Sequence, residues 1–389
     1  MNFIENANID NKKVILRLDL NVSIKDGEIV DDTKIKKSIP TIKYLLNKNC
    51  NVLILSHLGK IKTETDKKEN SLYIVCKRLS ELMEMNIVFV KDTRDSRLKE
   101  IVKDNRLVML ENTRYEDLPS SLESSCDRDL SMFWAYLGDV FVNDAFGTTH
   151  RRHASNYGVS RFLDTYYGFL VEEEVKGLEP VVNKIERPFV VIMGGAKVDD
   201  KVALIKTLVE KCDYILVGGG IGNTFLKSSG YNIGNSLYSK DYVDEIANII
   251  TNNKDKIIIP SDVVVENNGE VIRKNITDIT DSDVIYDIGE ETIKSYRNYI
   301  NKADTIFVNG TVGLYEDERF RSGTEELLRE LSKTDAYKIA GGGDAVASVN
   351  KLGFSEAFDF LSTGGGATLE YIASGKLKCD GEEDVNFKS

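Results

Sequence analysis

The residues best suited to chemistry fall into two groups in different halves of the chain. The first half holds all three histidines, His57, His150 and His153, in the strings SHLGK (56–60) and NDAFGTTHRRHAS (143–155). Arg17, Lys60, Arg114, Arg151 and Arg152 lie in the same strings or in RLDLN (17–21) and ENTRY (111–115). A lone histidine is usually a satisfied structural residue. Here a basic cluster gathers on a chain whose net charge is −12. Arginine forks grip carboxylate and phosphate through paired N–H donors, so the cluster reads as a pocket for a small anion. A metal site on the histidines is the weaker alternative, because the arginines around them would repel a cation.

The second half is marked by glycine. Met193 is followed by GGAK, Val217 by GGGIGNTF, Ile339 by AGGGD and Leu361 by STGGGA. One Gly-Gly pair is usually a tight turn, but glycine at the ends of successive strands lets backbone N–H groups approach phosphate oxygens. A helix start beyond such a turn adds the positive end of its dipole. Lys197 and Lys201 are four residues apart and share a face if a helix begins there, which reads as phosphate-directed. Asp344 reads either as a helix N-cap or as a holder of Mg²⁺ beside bound phosphates. No GxxxxGK[ST] occurs, no GxGxxG opens a helix after a strand, and the protein-kinase signatures are missing.

The elements that must position these residues follow from the apolar runs. VILRL (14–18), NVLIL (51–55), RLVML (106–110), DVFV (139–142), PFVVIM (188–193), DYILV (213–217), KIIIP (256–260) and DTIFV (304–308) suit strands buried on both faces. Between them lie helix-like stretches such as 34–46 and 72–82, which implies parallel sheets with helical crossovers. The polar segments 60–70, 251–256 and 381–389 read as loops or ends. In open parallel sheets ligands bind beyond the carboxyl ends of the strands, where both groups of residues fall. The fold class is therefore α/β with two doubly wound, Rossmann-like parallel-sheet domains. They are expected at 1–171 and 188–372, joined by a hinge helix at 172–187 that ends at Pro188. A length of 389 residues fits two domains.

Composition excludes other classes. Apolar residues make up 41% and charged residues 29%, as in an ordinary globular protein. No run approaches the ~18 apolar residues of a membrane span, and MNFIENANIDNKK does not read as a secretory signal. Five scattered cysteines without CxxC spacing read as reduced packing residues of a cytoplasmic protein. The acidic balance argues against nucleic-acid or membrane-surface partners.

Taken in order, NDAFGTTHRRHAS, GGAKVDDK, GGGIGNTFL, NG-x-x-G-x-x-E (309–316), GGGD and STGGGA closely resemble phosphoglycerate kinase, over about Arg17 to Lys376. The resemblance implies reversible phosphoryl transfer between 1,3-bisphosphoglycerate and ADP, giving 3-phosphoglycerate and ATP, with Mg²⁺. It implies a monomer acting on small molecules, and a C-terminal tail, 373–389, that returns to the N-terminal domain. The implied phosphoglycerate pocket is Asp19, Asn21, Lys34, His57, Lys60, Arg114 and Arg151. The nucleotide side would be Lys201, Gly219, Asn309, Glu316, Gly342, Gly343, Asp344 and Ala345, with Asp344 holding the metal. Lys34, Lys197 and Gly365 would attend the transferring group. Such chemistry needs positioning and charge neutralisation rather than a nucleophile. The chain departs from the family pattern at Lys34 and Lys60, where the family has Arg, and at Ile61, Val308, Thr311, Ala345 and Phe360. Lysine keeps the charge but loses the planar fork. A second reading therefore stands beside the first: a catalytically weak or inactive paralogue that binds nucleotide or phosphoglycerate.

Overall fold

Runs of Val, Ile and Leu with no polar alternation need a covering on both faces, and parallel sheets between helices supply it. A computed structural model describes residues 1–199 and 201–379. The chain divides into two units, the first Met1–Val175 with the segment from Lys376 onward, the second Lys176–Gly375.

In the first unit, strand β1 (Lys13–Leu18) is followed by a small hairpin, β2 (Ile24–Lys25) and β3 (Glu28–Ile29), and then by β4 (Asn51–Leu55), β5 (Val88–Val90), β6 (Leu107–Leu110), β7 (Val140–Asp144) and β8 (Thr165–Tyr167). The hairpin apart, they form one parallel sheet in the order β5-β6-β4-β1-β7-β8. The helix Thr33–Asn47 buries Ile35, Ile42 and Leu45 and carries Pro40 inside it. The stretch 60–70, read as a loop, contains a short helix, Glu64–Glu69, closed by a Thr63–Asp66 capping box.

The second unit contains β9 (Phe189–Met193), β10 (Tyr214–Val217), β11 (Ile257–Ile258), β12 (Asp262–Asn267), β13 (Glu270–Asn275), β14 (Val284–Ile288), β15 (Thr305–Asn309), β16 (Tyr337–Ala340) and β17 (Phe360–Leu361). Its main sheet is parallel, in the order β11-β10-β9-β15-β16-β17. β13-β12-β14 form a separate antiparallel sheet that the search for continuous apolar runs did not anticipate. Its edge strand, EVIRKN, is largely polar and exposed. The Asn268-Gly269 pair between β12 and β13, at φ 51° and 85°, is the chemistry of a tight hairpin turn.

The helix expected at 172–187 spans Phe169–Val182, and the division between units falls inside it. Its start is fixed by Asp144, whose Oδ1 accepts from the N–H groups of Leu170 at 2.8 Å and Val171 at 3.2 Å. Of the tail, Lys376 to Cys379 groups with the first unit, where Asn143 Nδ2 lies 3.6 Å from Cys379 Sγ; residues 380–389 lie outside the described residues. Among the described residues no helix is long and apolar enough to cross a membrane.

Candidate functional site

In the first unit the carboxyl ends of β1, β4 and β6 and the segment after β7 carry the basic cluster. Arg17, near the end of β1, is fully buried, and His57, just past β4, is 6% exposed. Arg17 Nη2 lies 3.0 Å from His57 Nδ1, and Arg17 Nε donates to Ser155 Oγ at 2.9 Å. Burial, reinforced by Arg17, Arg114, His153 and Lys34, holds the His57 imidazole well below its ordinary pKa and hence neutral. His153 is pushed down to about 3 by burial and by the charges of Arg114, Arg17 and Arg151. These mutual effects place Arg17, Lys34, His57, Arg114, Arg151 and His153 in one electrostatic neighbourhood.

Around this centre, Asn21 Oδ1 accepts from the Gly59 N–H at 2.9 Å. Asp19 accepts from the Asn21 N–H at 3.2 Å and from Lys34 Nζ at 2.9 Å. Arg114 follows Asn112, whose side chain accepts its N–H at 3.1 Å, and its buried Nε has no hydrogen-bond partner. An unmatched buried donor on a charged fork suits an incoming anion. Lys60 shares a groove with Arg114, Asp117 and Ser124. Arg151 is exposed and its Nε lies 3.2 Å from His150 Nε2.

The second unit builds a cavity of about 450 Å³ from the turns after β9 and β10, the segment after β15 and the helix after β16. Gly195, Ala196, Gly219 and Gly220 make one wall, Leu237, Tyr286 and Leu314 make an apolar one, and Glu316 and Asp344 also line it. The glycine wall is stitched through main chain: Gly195 N donates to Thr311 O at 2.8 Å, Gly219 N to Val312 O at 2.8 Å, and Ile221 N to Gly195 O at 3.1 Å. A Cβ at Gly194 would stand 2.1 Å from Thr311 O, and one at Gly220 2.0 Å from Ala196 O. Helices begin at Gly219, Gly343 and Gly366, so first-turn N–H groups are left free of intrahelical bonds.

Several expectations are corrected. Lys197 and Lys201 do not share a helix face, because the helix starts only at Val202 and Lys201 is its N-cap. The Val198 N–H is bound to Ser239 Oγ at 3.0 Å, which holds the segment after the GGA turn out of helical geometry. Lys197 is exposed, while Lys201 Nζ donates to Gly194 O at 3.0 Å. Asp344 is not an N-cap: Gly342, at φ 96°, occupies that position and Asp344 stands in the first turn. Gly219, Glu316 and Asp344 line the cavity, and Asn309 lies beneath it, donating to Gly341 O at 2.6 Å with its Oδ1 buried and unpartnered. Ala345 is fully buried in the core with Val349, and Gly365 caps the helix after β17 outside the cavity lining. Sequence reasoning did not single out Leu237, Tyr286 and Leu314 as cavity walls or Glu123 and Ser155 beneath the basic cluster. Only the glycine string ahead of Asn223, also in the lining, offered a signal.

Residues 4–376 match the family model described as phosphoglycerate kinase. Among curated relatives, the phosphoglycerate kinase of Fusobacterium nucleatum is 42% identical over 380 residues, covering 95% of this chain and 96% of the relative. That of Enterococcus faecalis is 43% identical over 378 residues, covering 95% of each. Among solved structures, phosphoglycerate kinase from Coxiella burnetii superposes with a TM-score of 0.86 at 34% identity over 97% of both chains. The enzyme from Pyrococcus horikoshii OT3 gives 0.79 at 30% identity, again over 97% of both.

Proposed function

The chain belongs to the phosphoglycerate kinase family, and on that premise we propose that it transfers a phosphoryl group reversibly between 1,3-bisphosphoglycerate and ADP, giving 3-phosphoglycerate and ATP. The observation that carries this reading is the buried, neutral His57 set among Arg17, Lys34 and Arg114 at the carboxyl edge of a parallel sheet. Such a pocket offers donors from several strands to a small molecule with a phosphate at one end and a carboxylate at the other.

In this reading Asp19, Asn21, Lys34, His57, Lys60, Arg114 and Arg151 hold the phosphoglycerate. Lys201, Gly219, Asn309, Gly342, Gly343 and Ala345 present charge or backbone N–H groups to the nucleotide phosphates, and Glu316 hydrogen-bonds the ribose. Lys34, Lys197 and Gly365 attend the transferring phosphoryl group. The chain supplies orientation and positive charge, and no covalent intermediate is needed.

A cation is part of the proposal. Among the described residues no group of three or more His, Cys, Asp or Glu could hold a metal by itself, whereas Asp344 lies in the cavity lining. One carboxylate beside a phosphate site fits Mg²⁺, which keeps several waters and is carried largely by the nucleotide. Bound there, it would neutralise phosphate charge. We place the enzyme in the cytoplasm as a monomer acting on small molecules. Because in-line transfer needs reacting atoms at ~3–3.5 Å, saturation with both ligands is expected to reduce the radius of gyration in small-angle scattering.

A coupled assay of ATP consumption tests the function. Turnover should require both ATP and 3-phosphoglycerate. Calorimetric binding of both ligands without turnover would replace this reading with that of a binding paralogue, and the substitutions at Lys34, Lys60 and Ala345 would be the first suspects.

A further inference from the structure

One buried cation in the anion pocket has no role in the scheme above. All the hydrogen bonds made by the Arg17 guanidinium stay inside the fold. Nη2 contacts His57 Nδ1, Nε donates to Ser155 Oγ, and Nη1 donates to the Leu18 carbonyl and, at 3.5 Å, to Ser56 Oγ. Ser155 passes the contact on. Its hydroxyl donates to Glu123, whose other oxygen accepts the Ser155 N–H at 2.9 Å. Glu123 is as completely buried as Arg17 and also accepts from Thr113 Oγ1 at 3.1 Å. The two opposite charges attract one another through the serine between them.

A guanidinium has five N–H donors, no acceptor, and keeps its proton. The 3.0 Å contact therefore runs one way, with Arg17 donating and His57 Nδ1 accepting. A neutral imidazole that accepts at Nδ1 must carry its proton on Nε2. Without that constraint, the ring could put an Nε2 lone pair toward an anion, which would be repelled.

We propose that Arg17 is a positioning residue: the line Glu123–Ser155–Arg17–His57 locks His57 as an Nε2–H donor for phosphoglycerate. Arg17 holds the ring rather than the ligand. Burial pushes the Glu123 carboxyl up, while Arg17 and the donors from Ser155 and Thr113 pull it back toward the carboxylate that faces the buried guanidinium. The charged and titratable groups facing His57 are Arg17 from β1, Arg114 from the turn after β6, His153 from the segment after β7 and Lys34 from the helix at Thr33. Of these, Arg17 is the one hydrogen-bonded to the ring.

The assignment rests on the proposed function only for the name of the anion, and the test separates the two. In the ¹⁵N-labelled full-length protein without ligand, long-range proton–nitrogen correlations should show His57 as the Nε2–H tautomer, with His57→Gln identifying the signal. Ser155→Ala should mix the tautomers and weaken 3-phosphoglycerate binding about tenfold, the scale of one hydrogen bond to a charged group. Its KM for ATP and its kcat should stay within about twofold, well below that scale, and Ser155→Thr should restore binding. An Nδ1–H tautomer in the wild type would overturn the proposal even if the variants fail to fold. So would a Ser155→Ala protein with unchanged tautomer and unchanged affinity. A wild type that holds His57 as Nε2–H but binds no 3-phosphoglycerate supports the relay and defeats the functional reading instead.

Discussion

The two units solve anion binding with different materials. The first uses side chains: Arg17, His57 and Arg114 are buried, His57 is held by the Arg17 guanidinium, and the Arg114 Nε is left without a partner. The second uses main chain: Gly194, Gly219 and Gly220 pack against the carbonyls of Ala196 and Thr311, and a Cβ at any of them would press on a main-chain oxygen. A side-chain site can be retuned by one substitution, because each donor is a separate object. A backbone site resists retuning, because its donors belong to the fold.

The contrast is most sharply tested at the glycine wall. Gly220→Ala would put a methyl 2.0 Å from the Ala196 carbonyl oxygen, a main-chain atom that cannot rotate away. We expect ATP affinity to fall about 100-fold, roughly 2.7 kcal/mol, within the range for overpacking. Gly222→Ala, two residues on, meets nothing closer than 3.5 Å in a helix and should bind normally. Calorimetry on both variants decides the matter: equal affinities would mean the wall moves as freely as a side chain. In the other unit, Arg114→Ala should cost roughly 2 kcal/mol of 3-phosphoglycerate binding, the loss of a charge-assisted contact. Its ATP affinity should not change. A comparable loss of both ligands would show that the variant damages the fold rather than the pocket.

How far each material is legible in sequence follows from the same contrast. Glycine strings and continuous Val, Ile and Leu runs are local signals, and eight of the twelve strands of the two parallel sheets stand within two residues of those runs, whereas β5, β8, β16 and β17 match none of them. His57 and Arg114 were legible because they follow strands, whereas Lys34 was singled out only through the family resemblance. Glu123 and Ser155 were not, because they meet only through folding: 32 residues separate them in the chain, and ESSCD has no informative spacing. The helix-face reading of Lys197 and Lys201 failed for the same reason, since Ser239 holds the turn open from 41 residues away.

Buried charge separates the units again. In the first, Glu123 is countered by Arg17. In the second, Asp287 is 2% exposed beneath Gly313 and Gly323, and it accepts main-chain N–H groups from Gly323 at 2.6 Å and Ile288 at 2.9 Å. Burial pushes its carboxyl up to about 7, from an ordinary 3.8. The folded state therefore keeps a proton that the unfolded state has released, and stability falls as pH rises through that interval. Its contribution is fully present below about pH 4 and is lost as pH passes about 7. Asp287→Asn cannot ionise, so wild type should exceed it most at about pH 4, by on the order of 1–2 kcal/mol, and the gap should narrow by pH 8. Denaturant unfolding of the full chain at both values measures this. A gap that widens with pH would show that the carboxylate, not the acid, is the favoured buried form.

The smallest expected effect bears most directly on how a side-chain site is tuned. Lys34 opens the helix Thr33–Asn47 and its ammonium is tied to Asp19 Oδ2 at 2.9 Å, with 40% of the lysine side chain exposed against 12% of the aspartate. In the proposed reaction, a point charge so engaged would neutralise the transferring group through space but would have no second donor held in a plane beside the first. A guanidinium at this position keeps one N–H on Asp19 and turns another to the phosphoryl oxygens. One charge-assisted hydrogen bond made in the transition state contributes at least about 1.4 kcal/mol, which is tenfold in rate. Lys34→Arg should therefore raise kcat about tenfold. The dissociation constant of 3-phosphoglycerate should change less, because an interaction made only in the transition state leaves ground-state binding untouched. Equal gains in kcat and affinity would mean that Lys34 serves binding rather than transfer. No gain in a wild type that already turns over rapidly would mean that the pocket has re-formed around lysine, with Asp19 setting its position.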